Sequence, residues 1–118
     1  MGDYHLADAE ARFADIIWSK EPIASPELVK ICEREMNWKK STTYTVLKKL
    51  CEKGIFRNEN AVVKAVLSKE EFYGRQSRKY VDDVFEGSLP RFLAAFCGGK
   101  KLSEKEVEEM RKFVDENT

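Results

Sequence analysis

A basic amphipathic segment, residues 38–54, places the strongest constraint on how this chain can fold. Its sequence, WKKSTTYTVLKKLCEKG, carries Val46, Leu47 and Leu50 at the spacing of one helix face. Short hydroxyl and lysine side chains crowd its first half, and Gly54 offers the left-handed residue that commonly ends a helix. The segment therefore predicts one helix whose N-terminal half is polar and basic.

The polar half of this helix has the side chains that DNA recognition uses. Ser, Thr and Tyr hydroxyls can bond base edges or phosphates, a Thr methyl can touch thymine, and Lys neutralises phosphate. The composition predicts a helix that enters the major groove of double-stranded DNA, although a solvated surface helix rich in Thr and Lys would have the same composition. The candidate DNA contacts in this segment are Lys39, Lys40, Ser41, Thr42, Thr43, Tyr44, Thr45 and Lys48.

The neighbouring segments extend this pattern to a winged helix-turn-helix. A helix is predicted over residues 6–18, and a second helix begins with Ser25 as N-cap and Pro26 in its first position. A tight turn then leads into the basic helix, which is a helix-turn-helix arrangement. Residues 55–58 and 61–67 are β-rich and flank a turn at 59–60, so they predict a hairpin, the wing. Its cations Arg57 and Lys64 are candidate phosphate contacts, or else ordinary strand-edge charge.

The C-terminal part predicts helices that bury their apolar faces against a second copy of the chain. Two capping boxes, Ser68–Glu71 and Ser103–Glu106, and the apolar stretch 89–97 predict three helices. Their large apolar side chains exceed what about 50 residues can bury alone, so we expect an isologous homodimer rather than folding back on the N-terminal half. The candidate dimer contacts are Phe85, Leu89, Phe92, Leu93, Phe96, Val107, Met110 and Phe113.

The predicted fold class is therefore mainly α with a small β-hairpin. Residues 1–67 are expected to form a winged-helix DNA-binding domain, and residues 68–118 a helical dimerisation domain. Within the first domain, residues 38–57 hold six basic side chains and one acidic side chain, whereas residues 1–24 hold two basic side chains and five acidic ones. One face of the protein can therefore be basic although the net charge of the chain is zero.

Cysteine and histidine content argues against an enzyme, a cofactor and a metal site. The three cysteines are scattered, no C-x-x-C motif occurs, and the one histidine, His5, belongs to an expected loose start at residues 1–5. A nucleophile–base pair or a ligand cluster is therefore not expected. Scattered cysteines and the lack of a signal peptide or a membrane-spanning apolar run favour the cytoplasm.

Landmarks over residues 7–115 resemble one known family. An opening Asp8-Ala9-Glu10 is followed by Trp18, and Gly87-Ser88-Leu89, Phe96 and Leu102-Ser103-x-x-Glu106 stand near the C-terminus. Between them, Trp38 precedes a T-x-x-T-x-L-x-x-L-x-x-K-G pattern that is filled by Thr42, Thr45, Leu47, Leu50, Lys53 and Gly54. This ordered set resembles the penicillinase and methicillin-resistance repressors, the BlaI/MecI/CopY-type winged-helix transcriptional regulators.

The resemblance implies a dimeric transcriptional repressor that binds a palindromic operator through an N-terminal winged helix and dimerises through its C-terminal helices. In the β-lactam branch of the family, a membrane-bound sensor protease triggers cleavage of the repressor. By resemblance the cut would fall between Ala95 and Phe96.

This sequence departs from the family pattern in four places. Ala7 stands where a capping Ser or Thr is usual, and Ala95 stands where the best-known members have Asn. The hairpin at residues 58–61 is shorter and lacks the Gly-Arg of the family wing. The Cys-x-Cys pairs of the copper-responsive branch are absent, which argues against metal sensing by that route. The short wing and zero net charge favour an alternative, a winged-helix protein-interaction module without specific DNA binding.

Overall fold

The computed structural model describes residues 6–118; the expected loose start and His5 lie outside the described residues. Within these described residues, six helices and three short strands follow one another, which confirms the predicted fold class. In chain order the elements are α1 (Asp8–Lys20), β1 (Ile23–Ala24), α2 (Ser25–Met36), α3 (Lys40–Glu52), β2 (Phe56–Glu59), β3 (Val62–Ala65), α4 (Lys69–Phe85), α5 (Leu89–Cys97) and α6 (Glu104–Glu116).

The strands form one antiparallel sheet in the order β1-β3-β2. Phe56 pairs with Ala65 and Glu59 with Val62, so the hairpin closes through a two-residue turn at Asn60 and Ala61. Both turn residues have positive φ, 52° and 60°, as a tight hairpin turn requires. The turn therefore falls one residue later than the sequence pattern predicted.

The structure places the start of α2 differently from the prediction, and it leaves α1 without a capping side chain, as Ala7 implies. Ser25 was predicted to cap α2, but the cap position is Ala24 and Ser25 is the first helical residue. The helix therefore begins one residue earlier than predicted, directly after the extended residues 23–24 that pair with β3. Ala7 precedes α1 without a side-chain cap, although Glu10 Oε1 accepts the Ala7 N–H over 3.1 Å.

One apolar core holds α1, α2, α3 and the sheet together. Its fully buried members include Phe13, Ile17, Leu28, Leu47, Leu50, Ile55, Phe56, Val63 and Phe72. Trp18 closes the core on the α4 side: its ring lies 5.4 Å from that of Phe56 and 5.9 Å from that of Phe72. The Trp18 indole N–H also donates to Leu67 O over 2.9 Å, which satisfies its one polar atom.

The chain divides into two compact units, of which the first ends at Lys79 and the second covers Tyr80–Thr118. α4 therefore contributes residues to both units. The proposed functional boundary between residues 67 and 68, at the start of α4, stays a prediction.

The second unit has an aromatic cluster but no fully covered core. The rings of Tyr80, Phe85, Phe92 and Phe96 pack in sequence, with centroid separations of 5.6–6.4 Å. Within residues 80–118 no apolar side chain reaches the burial of the first unit's core.

Ser103 and Glu106 form the predicted capping box at the start of α6, and Ser68 and Glu71 form the other one at α4. Within residues 6–118, none of these helices has the length and apolar character that crossing a bilayer would require.

Candidate nucleic-acid interface

A sharp turn orients α3 against α2. Asn37 ends α2 in the left-handed conformation, with φ 55° and ψ 36°, which Asn adopts more readily than most residues. Trp38 follows and is half-buried, its ring 5.3 Å from that of Phe13 in α1. Trp38 therefore anchors the turn to the core, and the helix itself begins two residues later than the segment 38–54 suggested.

The register of α3 separates a buried face from a polar one. Thr43, Leu47 and Leu50 are at most 2% exposed, and they follow the i, i+4, i+7 spacing of one helix face. The remaining positions give a polar surface that is largely exposed. The exposed side chains of this surface, counted from the N-cap residue onwards, are Lys39, Lys40, Ser41, Thr42, Thr45, Lys48, Lys49 and Glu52.

Thr43 lies in the core and is not available to a ligand. Its side chain is 0% exposed, and its hydroxyl makes no hydrogen bond of ordinary geometry among the described residues, although it lies beside the Cys32 thiol. The neighbouring Thr42 is exposed. Of the predicted groove-facing threonines, Thr42 and Thr45 are therefore accessible, and the Thr45 hydroxyl donates to Ser41 O over 2.8 Å.

Tyr44 is half-buried and its hydroxyl is engaged within the protein. It donates to Ser25 Oγ at the start of α2 over 3.2 Å. The ring packs against the apolar core. Tyr44 is therefore held at the α2–α3 junction rather than projecting freely from the helix.

Lys49, which the sequence reasoning left out of the site, pairs with α1. Its Nζ lies 2.6 Å from Glu10 Oε2, and the Glu10 side chain is only 13% exposed. The hydrogen bond from Lys49 lowers the pKa of the Glu10 carboxyl below its usual value; burial opposes this effect in part, and the Ala7 N–H adds a smaller lowering of the pKa. This ion pair connects α3 to α1. No local sequence pattern predicts it, because Glu10 and Lys49 are far apart along the chain.

The hairpin brings two cations opposite each other. Arg57 on β2 and Lys64 on β3 are directly paired in the register, and both are exposed. Like charges in such a pair repel unless an anion lies nearby. Arg57 Nε pairs with Glu59 Oε1 at 3.0 Å, and the Glu59 side chain is itself exposed. A phosphate oxygen could join or replace this partner.

The described residues give little support to metal binding or to catalysis by a cysteine nucleophile. No group of three or more His, Cys, Asp or Glu side chains within residues 6–118 has a geometry that could hold a metal ion. Burial raises the pKa of the Cys32 thiol, an effect that the neighbouring Thr43 hydroxyl offsets in part. Burial also raises the pKa of the Cys51 thiol. Both thiols are therefore protonated at neutral pH and poorly nucleophilic.

The predicted dimer contacts lie on surfaces that the single chain leaves open. Phe96 is 73% exposed, Phe113 62% and Leu89 54%. The other predicted contacts are half-buried, namely Phe85, Phe92, Leu93, Val107 and Met110. The predicted cleavage position, Ala95–Phe96, lies in the last turn of α5, just before Gly98 and Gly99, which both have positive φ.

Comparison with known proteins agrees with this fold and with the sequence landmarks. A family model described as penicillinase repressor matches residues 6–116. The methicillin resistance regulatory protein MecI of Staphylococcus aureus is 22% identical over 116 residues, which cover 95% of this chain and 94% of that protein. The penicillinase repressor of Bacillus licheniformis is also 22% identical, over 95% of this chain and 91% of that protein.

A penicillinase repressor of Staphylococcus aureus is similar as well, with 23% identity over 94% of this chain and 91% of that protein. These relatives are named as a regulatory protein and as repressors rather than as enzymes, in agreement with the prediction that the chain is not an enzyme. Because the family model spans nearly the whole chain, the resemblance predicted from the sequence is confirmed. The chain belongs to the penicillinase repressor family.

Proposed function

We propose that this protein is a homodimeric, sequence-specific DNA-binding transcriptional repressor of the cytoplasm. The observation that carries the proposal is the exposed polar face of α3, where lysines and short hydroxyl side chains lie opposite a fully buried apolar face. Such a helix supplies both the hydrogen-bonding groups that read base edges and the charge that meets phosphate. The names of the relatives, a regulatory protein and repressors, support the same function.

The proposed DNA-contacting set follows from exposure. Ser41, Thr42 and Thr45 would face base edges in the major groove, because their hydroxyls lie on the exposed side of α3. Cations at the helix start, along the helix and on the hairpin would meet the phosphate backbone of the operator. These cations are Lys39, Lys40, Lys48, Arg57 and Lys64. Thr43 is omitted because it is buried.

Dimerisation would place two copies of α3 on a palindromic operator. The second unit exposes several large aromatic and aliphatic side chains, and covering each of them is worth about 1.5–3 kcal/mol. A second copy of the chain can cover them by two-fold symmetry, which matches the symmetry of a palindrome. The homodimer is therefore the assembly that these exposed side chains support best.

The test is fluorescence anisotropy of the purified protein against its own upstream DNA and a scrambled duplex across a salt series. We expect affinity that stays selective for the upstream DNA as salt rises. A Lys39→Gln/Lys40→Gln double variant should weaken binding to both duplexes and flatten the slope of log K against log salt by roughly one unit per lost phosphate contact.

Thr42→Val is the matched variant for base recognition. It should change which sequence is preferred while leaving the salt slope unchanged, because it removes a hydroxyl and no charge. Weak, salt-erased and equal binding of the wild-type protein to both duplexes would contradict the repressor function. Together with a tight dimer, that outcome would favour the winged-helix protein-interaction module, for which the Arg57–Glu59 and Lys49–Glu10 pairs give some support because they neutralise cations.

Release from DNA would follow from cleavage between Ala95 and Phe96 by a protease under the control of a membrane sensor. The exposure of Phe96 and the two glycines that follow α5 support this site, because a protease needs a segment that can leave the helix. Mass spectrometry of the protein recovered from β-lactam-treated cells would identify the cut. An intact chain in derepressed cells would contradict this route of induction.

A further inference from the structure

A short chain of hydrogen bonds joins α3 to the hairpin turn through the first residue of α2. The Tyr44 hydroxyl donates to Ser25 Oγ over 3.2 Å, and the Ser25 N–H donates to Ala61 O over 2.8 Å. Ser25 is only 3% exposed, so water competes little for either bond. We call these three residues the Tyr44–Ser25–Ala61 link.

The place of Ser25 in the fold lets it serve both partners. As the first residue of α2, its backbone N–H has no acceptor inside that helix. The β1–β3 ladder ends with Ala24 opposite Val62, so the carbonyl of Ala61 is next in register. Because Ser25 does not cap α2, its hydroxyl oxygen remains available to Tyr44.

The hydrogen bond from Ser25 to Ala61 holds the hairpin turn, whose backbone conformation depends on such contacts. Asn60 and Ala61 both hold left-handed φ values, and Ala lacks the conformational freedom of Gly there. Residues in this conformation persist when surrounding contacts determine them. Since β2 and β3 have only four residues each, a change at the turn shifts the paired cations Arg57 and Lys64 as well.

We propose that Tyr44 is a positioning residue that fixes the hairpin cations relative to α3, an inference that rests on the proposed DNA binding. If α3 occupies the major groove while Arg57 and Lys64 meet the backbone, both sets of contacts form together only when the hairpin keeps one position relative to the helix. The Tyr44 hydroxyl then acts on DNA affinity through the hairpin, without contacting a base. This role differs from the groove contact that the sequence predicted for Tyr44.

A double-mutant cycle tests the link. Tyr44→Phe removes only the hydroxyl, and we measure the Kd for the upstream DNA in the wild-type chain and in an Arg57→Gln/Lys64→Gln background. In the wild-type background the Kd should rise about three- to tenfold, the effect of losing one hydrogen bond, and the salt slope should fall by roughly one unit. In the background without hairpin cations, Tyr44→Phe should change the Kd by less than about twofold, because the link then has no cations to position.

Two further variants separate positioning from a general loss of structure. Ser25→Ala removes the acceptor and should reproduce the effect of Tyr44→Phe, including its dependence on the hairpin cations. Tyr73→Phe removes the same atom from a tyrosine whose ring packs on Trp18 and Phe72, and it should leave the Kd unchanged. The Tm of every variant is recorded, since a purely structural role would lower the Tm and weaken binding equally in both backgrounds.

The outcomes distinguish this inference from the function on which it rests. Equal loss of affinity in both backgrounds, or no loss in the wild-type background, would overturn the positioning role while leaving DNA binding intact. A wild-type protein without sequence-selective DNA affinity would overturn both.

Discussion

At the scale of single residues, two adjacent threonines show why the hydroxyl-rich start of α3 could be only partly interpreted from the sequence. Thr42 is exposed and Thr43 is fully buried. The signal was present, because Thr43 stands four and seven positions before Leu47 and Leu50 and so belongs to their face. Composition alone predicted that every hydroxyl side chain in this segment contacts the DNA groove. The apolar periodicity separates the exposed Thr42 from the buried Thr43 correctly.

Thr43→Val should stabilise the protein by about 1 kcal/mol. The change keeps the shape of the side chain and removes a buried hydroxyl whose polar neighbour is the weakly accepting Cys32 thiol, and a buried polar group left unsatisfied costs about 1–3 kcal/mol. Urea denaturation followed by circular dichroism measures the free energy of unfolding. Thr42→Val, one position earlier on the exposed face, is the control and should change stability by less than about 0.5 kcal/mol.

DNA affinity provides a second measurement that distinguishes the Thr42→Val and Thr43→Val variants. Thr43→Val should leave the Kd for the operator unchanged, whereas Thr42→Val should change sequence preference. A Thr43→Val protein that is stable but has altered preference would contradict the buried register of α3.

At the scale of elements, the sequence predicted what local patterns determine and missed what distant contacts determine. The helix-turn-helix, the hairpin and both capping boxes follow from apolar periodicity, turn residues and Ser-x-x-Glu spacing, and the structure has all of them. The start of α2 was placed wrongly because β1 pairs with β3, a contact that no local pattern contains. The Tyr44–Ser25 and Lys49–Glu10 contacts were missed for the same reason.

The hairpin turn gives a prediction for an element boundary. Ala61→Gly should stabilise the protein by about 0.5–1 kcal/mol, because relief of the left-handed strain at φ 60° exceeds the greater freedom that Gly gains in the unfolded chain. The measurement is the Tm by differential scanning calorimetry. Ala65→Gly, in the extended strand β3, is the control and should lower the Tm; a lower Tm for both variants would mean that the turn is not strained.

The docking of α1 on α3 should depend on pH through Glu10. Its pKa is lowered in the folded protein, so the Lys49 ion pair contributes stability above the unfolded pKa of about 4.5 and loses it as the pH falls through the lower folded pKa. Glu10→Gln keeps an acceptor for the Ala7 N–H but removes the charge. It should cost about 1 kcal/mol at pH 7.

Urea titrations of the wild-type and Glu10→Gln proteins at pH 7 and near pH 3 check this sign. The difference in unfolding free energy should be present at pH 7 and shrink towards zero in acid. Glu59→Gln, whose carboxylate pairs with Arg57 at an exposed position, is the comparison and should change stability little at either pH. A constant difference for Glu10→Gln at both pH values would mean that charge is not what holds α1 to α3.

At the scale of the whole molecule, the two units differ in what they leave uncovered. The first unit buries its large apolar side chains in one core, whereas the second exposes Phe96, Phe113 and Leu89 among others. An apolar surface of this kind on a small helical unit indicates a partner, and the sequence already predicted one from the number of large side chains. The identity of that partner is a property of the assembly, which one chain's sequence cannot specify.

Phe96→Glu should convert the proposed dimer to a monomer, because it places a charge on the most exposed of these aromatic positions, 73% exposed in the single chain. Analytical ultracentrifugation should show half the mass, and the Kd for a palindromic operator should rise at least about tenfold while binding to a single half-site stays the same. Val66→Glu is the matched control, since Val66 is an apolar residue of the first unit that is 52% exposed. If Phe96→Glu remains dimeric, or if Val66→Glu dissociates the protein as readily, the dimer does not form through the second unit.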